Sequence, residues 1–570
     1  MLLSAAPAAA AAPSVIVILA DDLGWGDLGQ NGNPAIETPH LDRLASDGAS
    51  FSRFTVQPVC SPTRAELLTG RWAPRGGVTG VTAGGERLAA DTPTLADAFQ
   101  AAGYRTAAIG KWHNGTQAPY HPLCRGFDAF YGFTSGHWAD YFGPLLDRDG
   151  ELTRGRGYLP DDLTNEAIRF LQSAPDEPAF LWLAYNTPHS PMQVPDRWWD
   201  RRAGLPEPPP ATNAPKENRQ HTRAALAMVE NLDWNVGRLL AALDQSGRDD
   251  DTIVVFLTDN GPNGHRYNAG LRGIKGATDL GGVRSPLLVR WPGRIEARRA
   301  VDTPAAAVDL APTLAELAGV SLAEGPPLDG QSLARVLRAD GPPPPERTLF
   351  AHWGGRVSAR RGALILDHDG RLYDLDADIA QTRDLAAQRP AETARLRADI
   401  EAFRRDALGD HQSRPFTVGH PALPLTQLPA RDATTVGGVR HSSVHKNCTY
   451  LTGWRSPDDA VVWDIDVLQP GRFEATLYYT CPPADVGATV ALTFRDASVS
   501  AQVEPPHDPP LTASRRDRVP RSEGDMKRFA PLELGQIQLP EGRGKLRLQA
   551  TEVAGDTVMD LRLLTLRRVD

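Results

Sequence analysis

Cysteine is scarce in this sequence: four residues (Cys60, Cys124, Cys448 and Cys481) in 570, too few for a disulfide-built scaffold. Lysine is nearly as rare, supplying six of the 61 basic residues, the rest being arginine. No apolar run approaches the roughly 20 residues a spanning helix needs, and the mean hydropathy of -0.35 argues against an integral membrane protein. Positive charge is also short. The 61 basic and 70 acidic residues leave a net charge of -9, the wrong sign for a general nucleic-acid binder. An anionic ligand must therefore meet positive charge gathered locally. No His/Cys cluster has the spacing of a zinc site, and no internal repeat is present.

What is present reads as several domains. Up to about residue 410, short β-branched runs alternate with Ala/Leu-rich stretches, the pattern of a mainly parallel sheet covered by helices on both faces. Val15–Leu19 is the clearest buried strand, with Tyr104–Ile109, Ala179–Ala184 and Thr252–Leu257 as further candidates. A helix is expected over His40–Ser46, behind Thr38-Pro39, and another over Arg223–Asp244, where leucines and valines recur at helical spacing. The proline run 342–345 separates this unit, 14–340, from a small α+β subdomain over 346–412. After a break near 415–429, period-2 segments between Pro/Gly/Asp turns indicate an all-β sandwich over 430–570. Residues 1–13 read as a secretory-signal remnant, implying a periplasmic or secreted protein, or as an Ala/Pro tail on a cytoplasmic one. Cys448 and Cys481 either pair in an oxidising compartment or remain buried thiols.

Chemistry gathers at the strand ends, where open parallel sheets bind ligands. The first strand runs into Asp21-Asp22, the second into Lys111-Trp112-His113, the third into Thr187-Pro188-His189 and the fourth into Asp259-Asn260. Carboxylates gathered this way repel unless a cation joins them, and an all-oxygen set favours Ca²⁺ or Mg²⁺. Cys60-Ser61-Pro62-Thr63-Arg64 places Cys60 just before a helix, with Ser61 or Thr63 as cap and Gly70 as terminator. The amides of a helix N-terminus favour an anion there. Taken alone, Cys60 would be a low-pKa thiol nucleophile. Two of the rare lysines, Lys111 and Lys275, fall beside these motifs, as if a compact ammonium were required.

In this order, ILADDLGWGD, Cys60-Ser61-Pro62-Thr63-Arg64 with LLTGR, GKWH, TPH, TDNG and the closing RLYDLDADIAQTRDLA resemble the type I sulfatases of the alkaline-phosphatase-like fold. The resemblance covers about residues 14–410. It implies that a formylglycine-generating enzyme oxidises Cys60 to an aldehyde, whose hydrate attacks sulfur and forms a covalent sulfo-enzyme. The second hydroxyl then expels sulfate by C–O cleavage, splitting a difficult hydrolysis into two easier steps. It also implies that Asp21, Asp22, Asp259, Asn260 and modified Cys60 bind a divalent cation, Ca²⁺ ahead of Mg²⁺. Arg64 would orient the diol, Lys111, Lys275 and His189 contact the sulfate, and His189 protonate the leaving group with Lys275. His113 would accept the second diol proton. Two places depart from the family pattern: Asn114 stands where Leu commonly follows GKWH, and Asp279-Leu280-Gly281-Gly282 stands where Glu often precedes the Gly pair.

Two other readings compete. A phosphonate monoester or phosphodiester hydrolase of the same superfamily can carry the same cysteine but commonly has His where Asn260 stands. A catalytically dead glycan-binding protein is the other, prompted by Trp454, Trp463, Tyr478 and Tyr479 in the sandwich. The appended sandwich favours a sulfated sugar over a small aryl sulfate as substrate. His137, Trp138, Asp140, His265 and Arg266 are the candidate specificity residues. Neither nucleic acid nor membrane is an expected partner.

Overall fold

The computed structural model describes residues 12–409 and 414–570. Residues 1–11 of the expected signal remnant, and the expected subdomain limit at 412, lie outside the described residues. Five strands form the parallel heart of a ten-stranded sheet: β1 (Ser14–Ala20), β2 (Arg105–Lys111), β3 (Ala129–Phe133), β4 (Ala179–Ala184) and β5 (Thr252–Thr258). Their spatial order is β5-β1-β4-β2-β3, and every contact between neighbours is parallel. Antiparallel strands extend both edges, Leu287–Arg290 beside β5 and Leu145–Arg148 beside β3.

The continuous apolar run of β1 has a direct cause: both faces of the sheet are covered. Ile16 and Ile18 pack with Leu181, Leu183, Val254 and Phe256 on one side, and Val15, Val17 and Leu19 pack with Phe180, Trp182 and Val255 on the other. Helices α1 (Pro39–Ser46), α3 (Leu159–Ser173) and α4 (Arg219–Gln245) cover the first face. Leu226, Val229, Leu232, Val236, Leu239 and Leu243 form the buried stripe of α4. Helix α2 (Cys60–Thr69) covers the second face through Leu67 and Leu68. Cys60 thus opens α2 rather than preceding it. Val59 is the cap, and neither Ser61 nor Thr63 caps the helix. Thr63 instead donates to the Asp259 carbonyl (2.6 Å), tying α2 to the end of β5.

Four antiparallel strands between Leu349 and Asp374 form a separate sheet, packed on the helix Pro390–Ala407. Two six-stranded sheets follow, enclosing a core that includes Trp463, Phe473, Leu477, Phe494 and Leu548. Their strands begin earlier than the expected start at 430: Phe416–Val418 pairs with Ala460–Val467, and Leu425–Pro429 pairs with Asp560–Arg568. Both lie in the segment read as a break, because its prolines flank the strands or sit at their ends. Trp454, Trp463 and Tyr479 are buried in the sandwich core, so these rings pack the fold and present no face to a glycan. All four cysteines are free thiols, which settles the alternative left open for Cys448 and Cys481.

Candidate active site

The carboxyl ends of β1, β2, β4 and β5 bring the motif residues together. Backbone bonds keep the exit loops in step past the sheet, with the Asp21 amide donating to the Thr187 carbonyl (3.1 Å) and the Asp259 amide to the Ala20 carbonyl (3.2 Å). Asp22 and His113 both adopt left-handed backbone conformations, φ 65° in each. Such values are uncommon for residues other than glycine and cluster at functional sites.

Each carboxylate has one cation. Lys111 Nζ lies 2.7 Å from Asp21, Lys275 Nζ 2.7 Å from Asp22 and Arg64 2.7 Å from Asp259. Arg64 and Asp259 are wholly buried, and Arg64 also donates to the Lys111 carbonyl (2.6 Å). Burial alone would raise Asp21 and Asp22, but Lys111 and His189 for the first, and His189 and Lys275 for the second, hold both below the usual carboxylate range. Burial and Asp21 push Asp259 up instead. Lys111, Lys275 and Arg64 thus match the three carboxylates one for one, a protonated His189 adds to them, and a bound divalent cation would leave a positive surplus facing an anionic ester.

The Cys60 thiol contradicts the simple reading of a low-pKa nucleophile. It is 3% exposed, and burial followed by the Asp259 charge pushes its pKa well up, outweighing the helix N-terminus. Its Sγ lies 3.5 Å from Asp21 Oδ1 and 4.0 Å from Asp22 Oδ1.

Ligand atoms of Asp21, Asp22, Cys60 and His189 lie within 4.8 Å of one another. Asp259 stands outside this tight group: Arg64 holds its Oδ2, and the Asp22 amide donates to its Oδ1 at 3.3 Å. Asn260 donates to Asp22 Oδ1 (2.7 Å), while its own Oδ1 is buried without a partner. An orphaned carbonyl oxygen beside two carboxylates is the donor chemistry that a hard cation takes. The residues fit such an ion.

Both histidines have definable tautomers. His189 Nδ1 lies 2.5 Å from the Ser190 carbonyl and Nε2 3.5 Å from Asp22. A carbonyl only accepts, so Nδ1 carries the hydrogen and Nε2 faces the site. His113 Nε2 meets the Val81 carbonyl at 2.9 Å, leaving a buried Nδ1 with no partner. Burial and then Lys111 hold His113 well below the usual histidine value, so this Nδ1 is a free acceptor.

Lys275 and His189 line an open cleft of about 570 Å³, whereas the Lys111 ammonium is buried against Asp21. Of the candidate specificity residues, His137 lines this cleft and stacks on His189, ring centroids 5.2 Å apart. Trp138 and Asp140 line a different cavity, of about 130 Å³, between the α/β unit and the sandwich. Arg266 is buried, holding Asp27 (2.6 Å) and the Asp22 carbonyl (2.9 Å), and so supports the Asp21–Asp22 loop. His265 is not among the residues lining the cleft.

The departures from the family pattern have local roles. Asn114 donates to Ser61 and to the Glu86 carbonyl, fastening the first turn of α2. Asp279 pairs with Arg272 (2.6 Å). A Cβ at Gly282 would stand 2.1 Å from the Ala277 carbonyl, so only glycine lets the Lys275 loop approach this closely. The small subdomain braces the same loop, Ser358 donating to the Thr278 carbonyl and Arg356 to that of Gly276 (2.8 Å each). Ser190, His221, Asn263 and Glu523 also line the cleft and were not anticipated.

A doubly covered parallel sheet with paired carboxylates, an orphaned amide oxygen and an activatable residue at its strand ends defines a metal-assisted hydrolase of anionic esters, of the alkaline-phosphatase-like fold. A family model described as Sulfatase matches residues 13–320. Mouse steryl-sulfatase is 32% identical over 446 residues, covering 61% of this chain and 69% of its own. Human arylsulfatase A is 34% identical over 387 residues, covering 61% and 72%. The crystal structure of Ps i-CgsB in complex with k-i-k-neocarrahexaose matches with a TM-score of 0.65 at 29% identity, covering 70% of this chain and 95% of that one. The chain belongs to the sulfatase family and is a sulfuric ester hydrolase.

Proposed function

We propose that this enzyme hydrolyses sulfate esters of saccharides, using Cys60 converted to formylglycine and a calcium ion. The observation that carries the reading is Cys60 at the first turn of α2, within 4.8 Å of Asp21, Asp22 and His189. The open cleft lined by His189 and Lys275 and the likeness to a structure solved in complex with k-i-k-neocarrahexaose support a sugar substrate. Asp21, Asp22 and Asn260 would hold the cation, with Asp259 and modified Cys60 completing the set. When bound, the ion supplies positive charge beside the attacking group and the sulfate oxygens. Hydrated formylglycine supplies two geminal hydroxyls, one to attack sulfur and one to expel sulfate.

The chain's own residues do the rest. Lys275 binds the sulfate from the cleft side, and Lys111 neutralises Asp21 from behind. Arg64 orients the modified residue through the position of Asp259. As the imidazolium, with Nδ1–H held by the Ser190 carbonyl and Nε2–H beside Asp22, His189 would deliver the Nε2 proton to the leaving oxygen. His113 Nδ1 takes the second hydroxyl proton, since Nε2 is engaged by Val81.

Two measurements test this together: the mass of the Cys60 peptide after co-expression with a formylglycine-generating enzyme, and hydrolysis of carrageenan oligosaccharides and D-glucosamine-2-N,6-O-disulfate alongside aryl sulfate and phosphonate ester. Full activity with an unmodified thiol would refute the mechanism, and preference for the phosphonate would refute the reaction class.

A further inference from the structure

The α/β unit does not enclose the cleft by itself. Two segments of the β-sandwich reach across and form its outer wall. The first, between Arg440–His441 and Leu451–Thr452, brings Val444, His445, Lys446 and Asn447 to the cleft. It is fastened beside the catalytic residues: Ser135 Oγ donates to the Asn447 carbonyl (3.2 Å) and the Cys448 thiol to the His137 carbonyl (3.1 Å). A Cβ at Gly136 would lie 2.5 Å from Asn447 Nδ2 and 2.6 Å from His113 Nε2, so the segment closes tightly over His113.

The second segment is the long connection between Ala497–Gln502 and Ala530–Leu539. It leaves the sandwich and lies along the loop that carries His189. The Arg518 amide donates to the Met192 carbonyl (2.8 Å). Gln193 Nε2 donates to the Ala513 carbonyl (2.6 Å) and to Asp517 (2.9 Å). Arg521 pairs with Asp517 (2.6 Å) and donates to the Ala139 carbonyl (3.0 Å). These bonds seat Glu523, which accepts a hydrogen bond from Ser190 Oγ, one residue past His189. Asn263 Nδ2 donates to the same hydroxyl (3.1 Å).

A carboxylate at this position serves no sulfate, because like charges repel. It accepts hydrogen bonds only, with room for more than the one from Ser190, so the ligand group it suits is a donor such as a sugar hydroxyl. A flat aromatic or steroidal alcohol would desolvate it and return nothing. Lys446, on the other segment, is an exposed cation lining the same cleft and suits a further anionic substituent.

We propose that the sandwich wall is the subsite for the leaving alcohol, and that Glu523 selects polyhydroxylated, saccharide sulfates by accepting a substrate hydroxyl, with Lys446 reading additional negative charge. The inference rests on the saccharide reading above and assigns that selectivity to residues outside the sulfatase-family segment. The test uses full-length, formylglycine-containing enzyme carrying Glu523→Gln or, separately, Lys446→Ala. The readout is the ratio of kcat/KM for the best saccharide sulfate to that for 4-nitrophenyl sulfate. Loss of a hydrogen bond to a charged group predicts a fall of about tenfold to a hundredfold in this ratio for Glu523→Gln, mainly through KM. Lys446→Ala should raise KM about twofold to fivefold for a disulfated saccharide and less for a monosulfated one, as one lost ion pair at an open cleft would do. Because Lys446 is on an exposed loop, this variant will fold even if Glu523→Gln does not. Equal loss on both substrates, which leaves the ratio unchanged, would make Glu523 a positioning residue for His189 and overturn the proposal, as would no loss on either. Wild-type enzyme that turns over aryl sulfate and no saccharide would overturn the saccharide reading itself.

Discussion

Replacing Arg64 with methionine separates the electrostatic work of the site from its packing. The guanidinium makes three bonds, to Asp259 Oδ2 at 2.7 and 3.0 Å and to the Lys111 carbonyl at 2.6 Å, and neither charged side chain of the pair is exposed. Methionine fills much of the volume and restores none of the bonds. A buried pair broken from one side costs about 3–5 kcal/mol, because the remaining charge stays in a poor solvent. The orphaned Lys111 carbonyl adds about 1 kcal/mol. For a unit of this size the sum corresponds to about 5–10 °C in Tm. Asp21 would amplify the loss, since it already disfavours the charge on Asp259. Thermal unfolding in chelator is the assay, with Arg64→Lys as the partial restoration that keeps one charge and one bond. Methionine should be the less stable of the two, and added calcium should narrow the gap by compensating Asp259. A methionine variant within about 1 °C of wild type in chelator would refute the claim that Arg64 is what makes a buried Asp259 tolerable.

Other outcomes follow from the same geometry. Lys275→Ala should lower kcat/KM for 4-nitrophenyl sulfate by about a hundredfold to a thousandfold, the range for losing one preorganised charge partner, as read in steady-state kinetics. His113→Ala should cut kcat by about a hundredfold or more, with sulfate retained on the Cys60 peptide in intact-mass spectra after brief turnover. Gly282→Ala should reduce activity while leaving the sandwich folded, because its Cβ would meet the Ala277 carbonyl and displace the Lys275 loop; activity alongside near-UV circular dichroism would check this. Asp233, which accepts from the amides opening α1, is pushed up to about 7, chiefly by burial. The folded state therefore binds the proton first, so wild type should gain stability relative to Asp233→Asn as pH falls from 7.5 to 5. Tm values of both proteins across that range would show it.

Much of the catalytic half was legible because its signals are local. Buried parallel strands announce themselves as β-branched runs, and Asp21, Asp22, Lys111, His113, His189, Asp259 and Asn260 stand at or just past the ends of four such strands, while Cys60 and Arg64 open a helix and Lys275 sits in a later loop. The exceptions share a cause. Thr63 has the chemistry of a cap, yet it is drawn to the Asp259 carbonyl, 196 residues away in sequence. Trp138 and Asp140 follow His137 in sequence, but of the three only His137 lines the cleft, while the other two line the cavity beside the sandwich. The pairing of each carboxylate with its own cation depends on contacts across the sheet edge, which spacing does not encode. Glu523 had no local signal at all, since its partner Ser190 lies 333 residues earlier.

The sandwich wall also divides the gene. On the proposed reading, the groups that would handle sulfate lie between Asp21 and Lys275, and those that would face the alcohol from the far side lie between Val444 and Glu523. Mutations in the last quarter of the coding sequence would then reshape the leaving-group side without touching Asp21, Asp22 or Cys60. Recombination that exchanges one sandwich for another would be a short route from one sulfated polymer to the next.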